Sequence, residues 1–339
     1  MLGRKRKKED REKVPPAEVN RKLIAWVFIL SGLLSWGLWW RGKDRGDAGG
    51  ANWWEGWIKP VEVSFDVESS PTSSFDKLRT TLSVRQKLLD EVAERVATAS
   101  GTYAVYVYEL KKGEGFGFNE REVLPGASIL KLPAMITALK KVASGQWTMD
   151  SQFELLEEDR SPGSGPLQFE PAGTKVSVER MLTVMGKNSD NTAWRMINRL
   201  VGIPAIEDTI LDIGMTDTDY RTYETTAVDV TKLLTKTYAG EVVGQDGWKK
   251  MENWLTDSIY EERIPAGISD KGVRIIHKVG TLEDVWSDAG IIECKSVRAG
   301  ECQVEPYVLV ILNKGVIRAQ ASALVPWVAQ KVGEYEAGR

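Results

Sequence analysis

The order of elements read from the sequence predicts an α/β fold of the α+β kind. An antiparallel sheet is assembled from both ends of a domain, with an all-helical lobe inserted between them. Three observations carry this reading. β-Branched and aromatic runs, bounded by turn residues, stand at 102–119 and again at 273–312. Apolar residues at helical spacing occupy the stretch between them. A last helical pattern, with Leu324, Val328 and Val332 on one face, covers 322–336.

The chain has 339 residues, 42% of them apolar, enough for a sizeable core. Residues 1–22 form a basic tail with nine Lys/Arg against four Asp/Glu. With a formal net charge of −3 overall, the tail carries +5 and the remainder −8. An acidic remainder argues against nucleic acid as a partner. One histidine, His277, and two cysteines exclude a His-rich or Cys-based metal site, and no cofactor is implied.

Residues 23–40, LIAWVFILSGLLSWGLWW, hold no charge. At about 1.5 Å per residue a helix of this length spans about 27 Å, close to a hydrocarbon core. Trp26, Trp36, Trp39 and Trp40 lie near its ends, as interfacial aromatics do. The basic residues before it predict a single-pass transmembrane anchor in the cell membrane, with the tail in the cytoplasm and the folded domain outside. The alternative is a cleaved signal peptide. Against it, the charged stretch 41–47 separates the apolar run from the small residues at 48–50. No Cys follows the run, which excludes a lipoprotein anchor. Residues 41–75 read as a linker, Gly-rich and then Ser/Pro-rich. Its cluster Trp53, Trp54 and Trp57 either lies on the membrane surface or packs on the domain.

The folded domain is expected over 76–339. Leu82, Val84, Leu88, Leu89, Val92 and Val96 mark a helix over 78–99. TYAVYVYE at 102–109 is a strand, and a turn at 112–115 leads to its hairpin partner at 116–119. Helices follow over 128–143, from a Ser177 cap to Lys187 with Glu179 in the first turn, over 191–201, and from a Thr225 or Thr226 cap to Leu234. Strands are expected at 273–279, 286–294 and 307–312. Cys294 ends one of these and Cys302 precedes the next, across a turn at 296–300. A disulfide between them fits an exported domain; two free buried thiols are the alternative. There is no internal repeat.

Three short motifs carry the chemistry. Ser128-Ile129-Leu130-Lys131 follows Pro125-Gly126-Ala127, Ser189-Asp190-Asn191 joins two helices, and Lys278-Val279-Gly280-Thr281 lies on a strand. On a helix, residues i and i+3 share a face, so Ser128 and Lys131 meet one turn apart. A Ser hydroxyl attacks only when a base removes its proton. Lys serves as that base when burial and nearby cations lower its pKa. A helix N-terminus at Ser128 favours the negative charge that develops there. A lysine base leaves no need for a Ser-His-Asp triad, so His277 reads as a strand residue facing away.

In this order, on these elements, the motifs resemble the S-x-x-K, S-D-N and K-T-G set of class A β-lactamases and penicillin-binding proteins. The resemblance covers about residues 75–336. It extends to Gly163-Ser164-Gly165-Pro166-Leu167-Gln168 and to Ser287-Asp288-Ala289-Gly290. It implies a β-lactamase/transpeptidase-like fold with Ser128 as nucleophile, Lys131 as base and Ser189 as proton relay to the leaving nitrogen. Asn191, Lys278, Gly280 and Thr281 would bind substrate, Lys278 as the anchor of a substrate carboxylate. The backbone N–H groups of Ser128 and Thr281 would form the oxyanion hole.

Two departures stand out. Val279 replaces the usual Thr or Ser of the third motif. The stretch 215–226, MTDTDYRTYETT, is far shorter than the Ω-shaped loop of class A enzymes and lacks its E-x-x-L-N segment, whose Glu activates the deacylating water. Glu224, the one Glu in this stretch, reads as a loop-closing carboxylate. The expectation is a class A β-lactamase-like serine hydrolase acting on β-lactams or related amides through an acyl-enzyme, with slow deacylation. A cell-wall peptidase or carboxypeptidase acting on D-Ala-D-Ala-type peptides is the alternative. A non-catalytic penicillin- or peptide-binding sensor is the second. The expected partners are a small β-lactam or peptidoglycan peptide, and the membrane through 23–40. The oligomeric state is left open.

Overall fold

A computed structural model describes residues 74–295, 302 and 304–338. The basic tail, the apolar stretch 23–40 and most of the linker lie outside the described residues. Helix α1 (Ser74–Ala97) leads into the hairpin β1 (Thr102–Glu109) and β2 (Glu114–Phe118). The short strand β3 (Leu124–Pro125) precedes a 3-10 turn (Ala127–Leu130), which runs into α2 (Lys131–Ala143). The helical lobe continues with the small hairpin β4 (Gln152–Glu154) and β5 (Lys175–Ser177), then α3 (Val178–Lys187), α4 (Asn191–Val201) and α5 (Ile203–Ile213). After β6 (Glu224–Thr225) come α6 (Ala227–Tyr238), α7 (Gly244–Leu255) and the single turn α8 (Ile264–Gly267). The chain then returns through β7 (Val273–Leu282), β8 (Val285–Cys294) and β9 (Tyr307–Lys314), and closes with α9 (Arg318–Ala337).

The five long strands form one antiparallel sheet in the order β2-β1-β9-β8-β7. The first strand therefore pairs with the last, Thr102 opposite Lys314 and Glu109 opposite Tyr307. This is the sheet from both ends that the sequence predicts. Side chains alternate across it with period two. Val105, Val107, Leu309 and Ile311 join Leu88 and Val92 of α1 and Leu324 and Val328 of α9. Ala104, Val308, Val310 and Leu312 face the helical lobe, where Leu132, Met135, Met181 and Met196 are buried. β9 is covered on both faces and so reads as a continuous apolar run.

Several bounds shift. The β7–β8 hairpin is tighter than expected, with only Glu283 and Asp284 between the strands. Helices α5 and α7 have no counterpart in the sequence reading. α5 hides because only Gly202 separates it from α4. α7 hides because Gly244 and Gly247 weaken its propensity, although Trp248, Met251, Trp254 and Leu255 make a buried stripe. Thr226 proves to be the cap of α6, its hydroxyl accepting from Asp229 N. Ser177 caps α3 as expected, accepting from Arg180 N. Cys294 and Cys302 are joined in a disulfide.

Candidate active site

Ser128 sits in the 3-10 turn, not in the first turn of a continuous helix. Ala127 enters the turn at φ 46°, and Leu130, with ψ near 3°, separates it from α2. The turn is fixed from two sides. Gly126 N donates to Tyr223 O at 2.9 Å, and Pro125 pairs with Glu224. β7 crosses close by: a Cβ at Gly280 would come 2.8 Å from Gly126 O and 3.4 Å from the Ala127 methyl. The close approach of the Gly126 backbone leaves no room for a side chain at Gly280.

Lys131 follows on the first turn of α2 and is 1% exposed. Its ammonium donates to Asn191 Oδ1 at 2.7 Å, to Ser189 Oγ at 3.3 Å and to the Ser189 carbonyl. The Trp194 ring centroid lies 5.7 Å away. Burial lowers the Lys131 pKa to about 7, partly opposed by the Asp190 charge. Lys278 reaches the same hydroxyl from β7, Nζ to Ser189 Oγ 2.8 Å, and also donates to Val279 O. Its own pKa is held well below the ordinary value by burial and by the neighbouring Lys131. One hydroxyl therefore accepts from two lysines. A hydroxyl has two lone pairs and one proton, so the Ser189 proton remains available to a third group.

Ser189 occupies the sharp corner between α3 and α4 at φ 52°. Asp190 holds that corner, accepting from Ala193 N at 2.7 Å as the cap of α4 and from Leu167 N at 2.8 Å. The Gly163–Gln168 segment noted in the sequence is thereby tied to the site. Asn191 Nδ2 donates to Pro162 O at 3.0 Å, which orients its carbonyl toward Lys131.

These residues open on a cavity of about 510 Å³ lined by Ser128, Lys131, Ser189, Asn191 and Thr281. Three of the five described non-glycine residues at positive φ (Ala127, Ser189 and Tyr223) line it. Lys278 and Gly280 do not; the Lys278 ammonium lies behind Ser189, 2% exposed. Among the described residues, two cations besides Lys131 line the cavity, Arg318 and Arg263, and the sequence reading missed both. Arg318 is exposed; Arg263 is the buried one. Its guanidinium donates to Thr281 Oγ1 at 2.5 Å, Gly280 O at 2.9 Å and Ser287 O at 2.6 Å, and stacks 3.8 Å from the Trp286 ring centroid. Arg263 lies in an irregular segment with no motif around it, so no local signal marks it.

The segment 215–224 also contributes a feature the sequence does not advertise. Trp194, Tyr220 and Tyr223 form an edge-to-face cluster, with Trp194 Nε1 donating to Tyr220 OH at 2.7 Å. Trp194 and Tyr223 wall the cavity. Glu224 does not line it; its carboxylate accepts from Thr222 Oγ1 at 3.1 Å while its backbone pairs with Pro125. Among the described lining residues the one carboxylate is that of Glu262, 3.4 Å from Arg263 Nε. His277 is buried, does not line the cavity, and contacts Asp288.

Comparison with known proteins agrees with this geometry. β-Lactamase CARB-4 from Pseudomonas aeruginosa is 25% identical over 221 residues, 57% of this chain and 75% of that protein. Among solved structures, PBP-A superposes with a TM-score of 0.66 at 23% identity, covering 74% of this chain and 95% of that one. An ancestral class A β-lactamase gives a TM-score of 0.65 at 20% identity, covering 73% and 99%. Both structural likenesses are of fold. Residues 86–335 match the model of the β-lactamase enzyme family, and the chain belongs to that family.

Proposed function

We propose that this protein is a serine hydrolase that acylates Ser128 with a β-lactam or a related amide and releases the acyl group slowly. The observation that carries the reading is the pair of buried lysines sharing the Ser189 hydroxyl. Lys131 at a pKa of about 7 is substantially neutral at physiological pH and accepts the Ser128 proton as Oγ attacks the carbonyl carbon. The backbone N–H groups of Ser128 and Thr281 receive the oxyanion. Ser189 gives its proton to the leaving nitrogen and is reprotonated from the lysine side. Arg263 and Thr281 take a substrate carboxylate, a role the sequence reading gave to Lys278. Lys278 instead keeps Ser189 aligned, while burial keeps Lys131 neutral.

Deacylation needs a base for water, and the lining residues beside Ser128 and Lys131 offer aromatic rings in its place. This favours the peptidase alternative as a second reading, because a peptide acyl group is less hindered and Lys131 serves as the base. PBP-A, a relative by fold, has a leucine-to-glutamate variant described as an acyl-enzyme complex with penicillin G. Intact mass after incubation with penicillin tests the proposal: a stable adduct is expected, lost in Ser128→Ala. An adduct that persists in Ser128→Ala, or no adduct at all, refutes it.

We further propose that residues 23–40 anchor an exported domain in the membrane. A reporter active only outside the cytoplasm, fused after the last residue, should function. Full-length protein in the cytosolic fraction would refute the anchor.

A further inference from the structure

His277 has no role in the acylation chemistry, yet it is 1% exposed and lies between two carboxylates. Nδ1 is 2.9 and 3.0 Å from the two oxygens of Asp288, and Nε2 is 3.2 Å from Glu261 Oε1 and 3.4 Å from Ser258 Oγ. A neutral imidazole has one N–H and would set its bare nitrogen against a carboxylate oxygen, so two flanking carboxylates favour the imidazolium. The opposite strand makes room for the ring, since a Cβ at Gly290 would come 2.7 Å from His277 Cβ. Burial disfavours the charge, but Asp288 and Glu261 outweigh it and raise the pKa to about 9.

The two carboxylates are anchors of one segment. Glu261 accepts from Ser258 N at 2.7 Å, and Asp288 accepts from Ile264 N at 3.1 Å. Arg263 lies between Glu261 and Ile264, and its guanidinium, which contacts Thr281 Oγ1, is one of two described arginines that line this end of the cavity, with Arg318.

We propose that His277 is a positioning residue: as an imidazolium it fastens residues 258–264 onto β7 and β8, and so holds the Arg263 guanidinium at the carboxylate end of the cavity. The inference rests on the reading of that cavity as an acylation site for anionic substrates. The groups facing His277 are Asp288 from β8 and Glu261 and Ser258 from the segment; Lys278 is its chain neighbour, and Arg263 shares the Asp288 field. Loss of the imidazolium charge leaves Glu261 without its buried partner and frees the segment, while Ser128, Lys131 and Ser189 keep their own contacts.

The test separates binding from chemistry in pre-steady-state acylation by benzylpenicillin, comparing wild type with Glu261→Gln, whose position is at the surface, and His277→Gln. Each variant should raise the dissociation constant about tenfold, the scale of one lost charge-assisted contact, with the acylation rate constant unchanged. In wild type the dissociation constant should rise with pH through about 9, and in Glu261→Gln that rise should move to lower pH. The increase should vanish in an Arg263→Ala background, since the effect passes through that side chain. A fall in the acylation rate constant with unchanged binding, or full additivity with Arg263→Ala, overturns the proposal. If wild type forms no adduct, the acylation reading fails by itself. Positioning is then decided by the Arg263 Nε–H NMR signal, which should shift and broaden in Glu261→Gln and overturns the proposal if unchanged.

Discussion

The chemistry of this site is concentrated in one hydroxyl. Ser189 Oγ takes hydrogen bonds from Lys131 and Lys278, and the Lys131 charge disfavours that of Lys278. Lys131 titrates near 7 where a free lysine titrates near 10.5, so the acylation rate should rise as pH increases through about 7. A stopped-flow pH profile of penicillin acylation measures this; a rate independent of pH from 5 to 9 would remove Lys131 as the base. Stability follows with a definite sign. Between about 7 and 10.5 the unfolded chain holds a proton at Lys131 that the folded chain has released, so this group's contribution to stability improves as pH rises across that window and is worst below it. Lys131→Met should therefore abolish acylation and also stabilise the fold at pH 6, on the order of 1–4 kcal/mol in urea unfolding, because a buried charge is replaced by an apolar chain of similar length. A destabilised Lys131→Met protein would mean that its hydrogen bonds outweigh its burial. Glu224→Gln should leave deacylation within about threefold of wild type, since a lost general base costs about 10²–10⁴ and Glu224 faces Thr222 rather than the cavity.

The elements hold these residues by close approach. β7 passes so near the 3-10 turn that position 280 admits no side chain. Gly280→Ala should cost roughly 1–3 kcal/mol, as overpacking does, and slow acylation by displacing the Ser128 turn. Denaturant unfolding and labelling by a fluorescent penicillin would check both halves; a Gly280→Ala protein of wild-type stability would show that β7 yields. The aromatic cluster of Trp194, Tyr220 and Tyr223 ties the short 215–224 segment to α4. The three motifs were legible because each has a fixed local backbone: a turn into a helix, a capped corner and a strand. Arg263 was not, because its place follows from the path of an irregular segment and from Asp288 and Trp286 on a distant strand. α5 and α7 escaped for a local reason, a glycine at the junction in one and glycines inside the other.

At the scale of the whole molecule, one sheet separates two cores, and the site lies at the edge of the helical one. The disulfide closes a hairpin loop with a sequence separation of 8, and in the chain-entropy model it contributes about 2–3 kcal/mol. Reduction should lower the unfolding midpoint without affecting penicillin labelling, as the bridge lies at the end of β8 away from the cavity-lining residues. The proposed slow turnover belongs to this scale too. With no carboxylate brought to Ser128 and Lys131 by the 215–224 segment, steady-state hydrolysis of a chromogenic cephalosporin should stay well below about 100 s⁻¹, in the lower part of the usual enzyme range. A higher kcat would point to Glu262, the carboxylate that does line the cavity.

The sequence by itself determined the class of fold, a sheet built from both ends of the domain and the three motifs, and it offered Cys294 and Cys302 as disulfide partners. Each of these is written in local periodicity, in spacing, or in residue types that few other backbones accept. Only the tertiary structure decided that Gly280 lies against the Gly126 backbone, that Lys278 lies behind Ser189, and that Arg263 and Arg318 line the cavity. It also decided that aromatic rings of Trp194 and Tyr223 wall the site and that His277 is clasped between Asp288 and Glu261. Such facts depend on groups far apart in the chain meeting at hydrogen-bond distance in a medium of low polarity, and no local pattern records where those meetings occur.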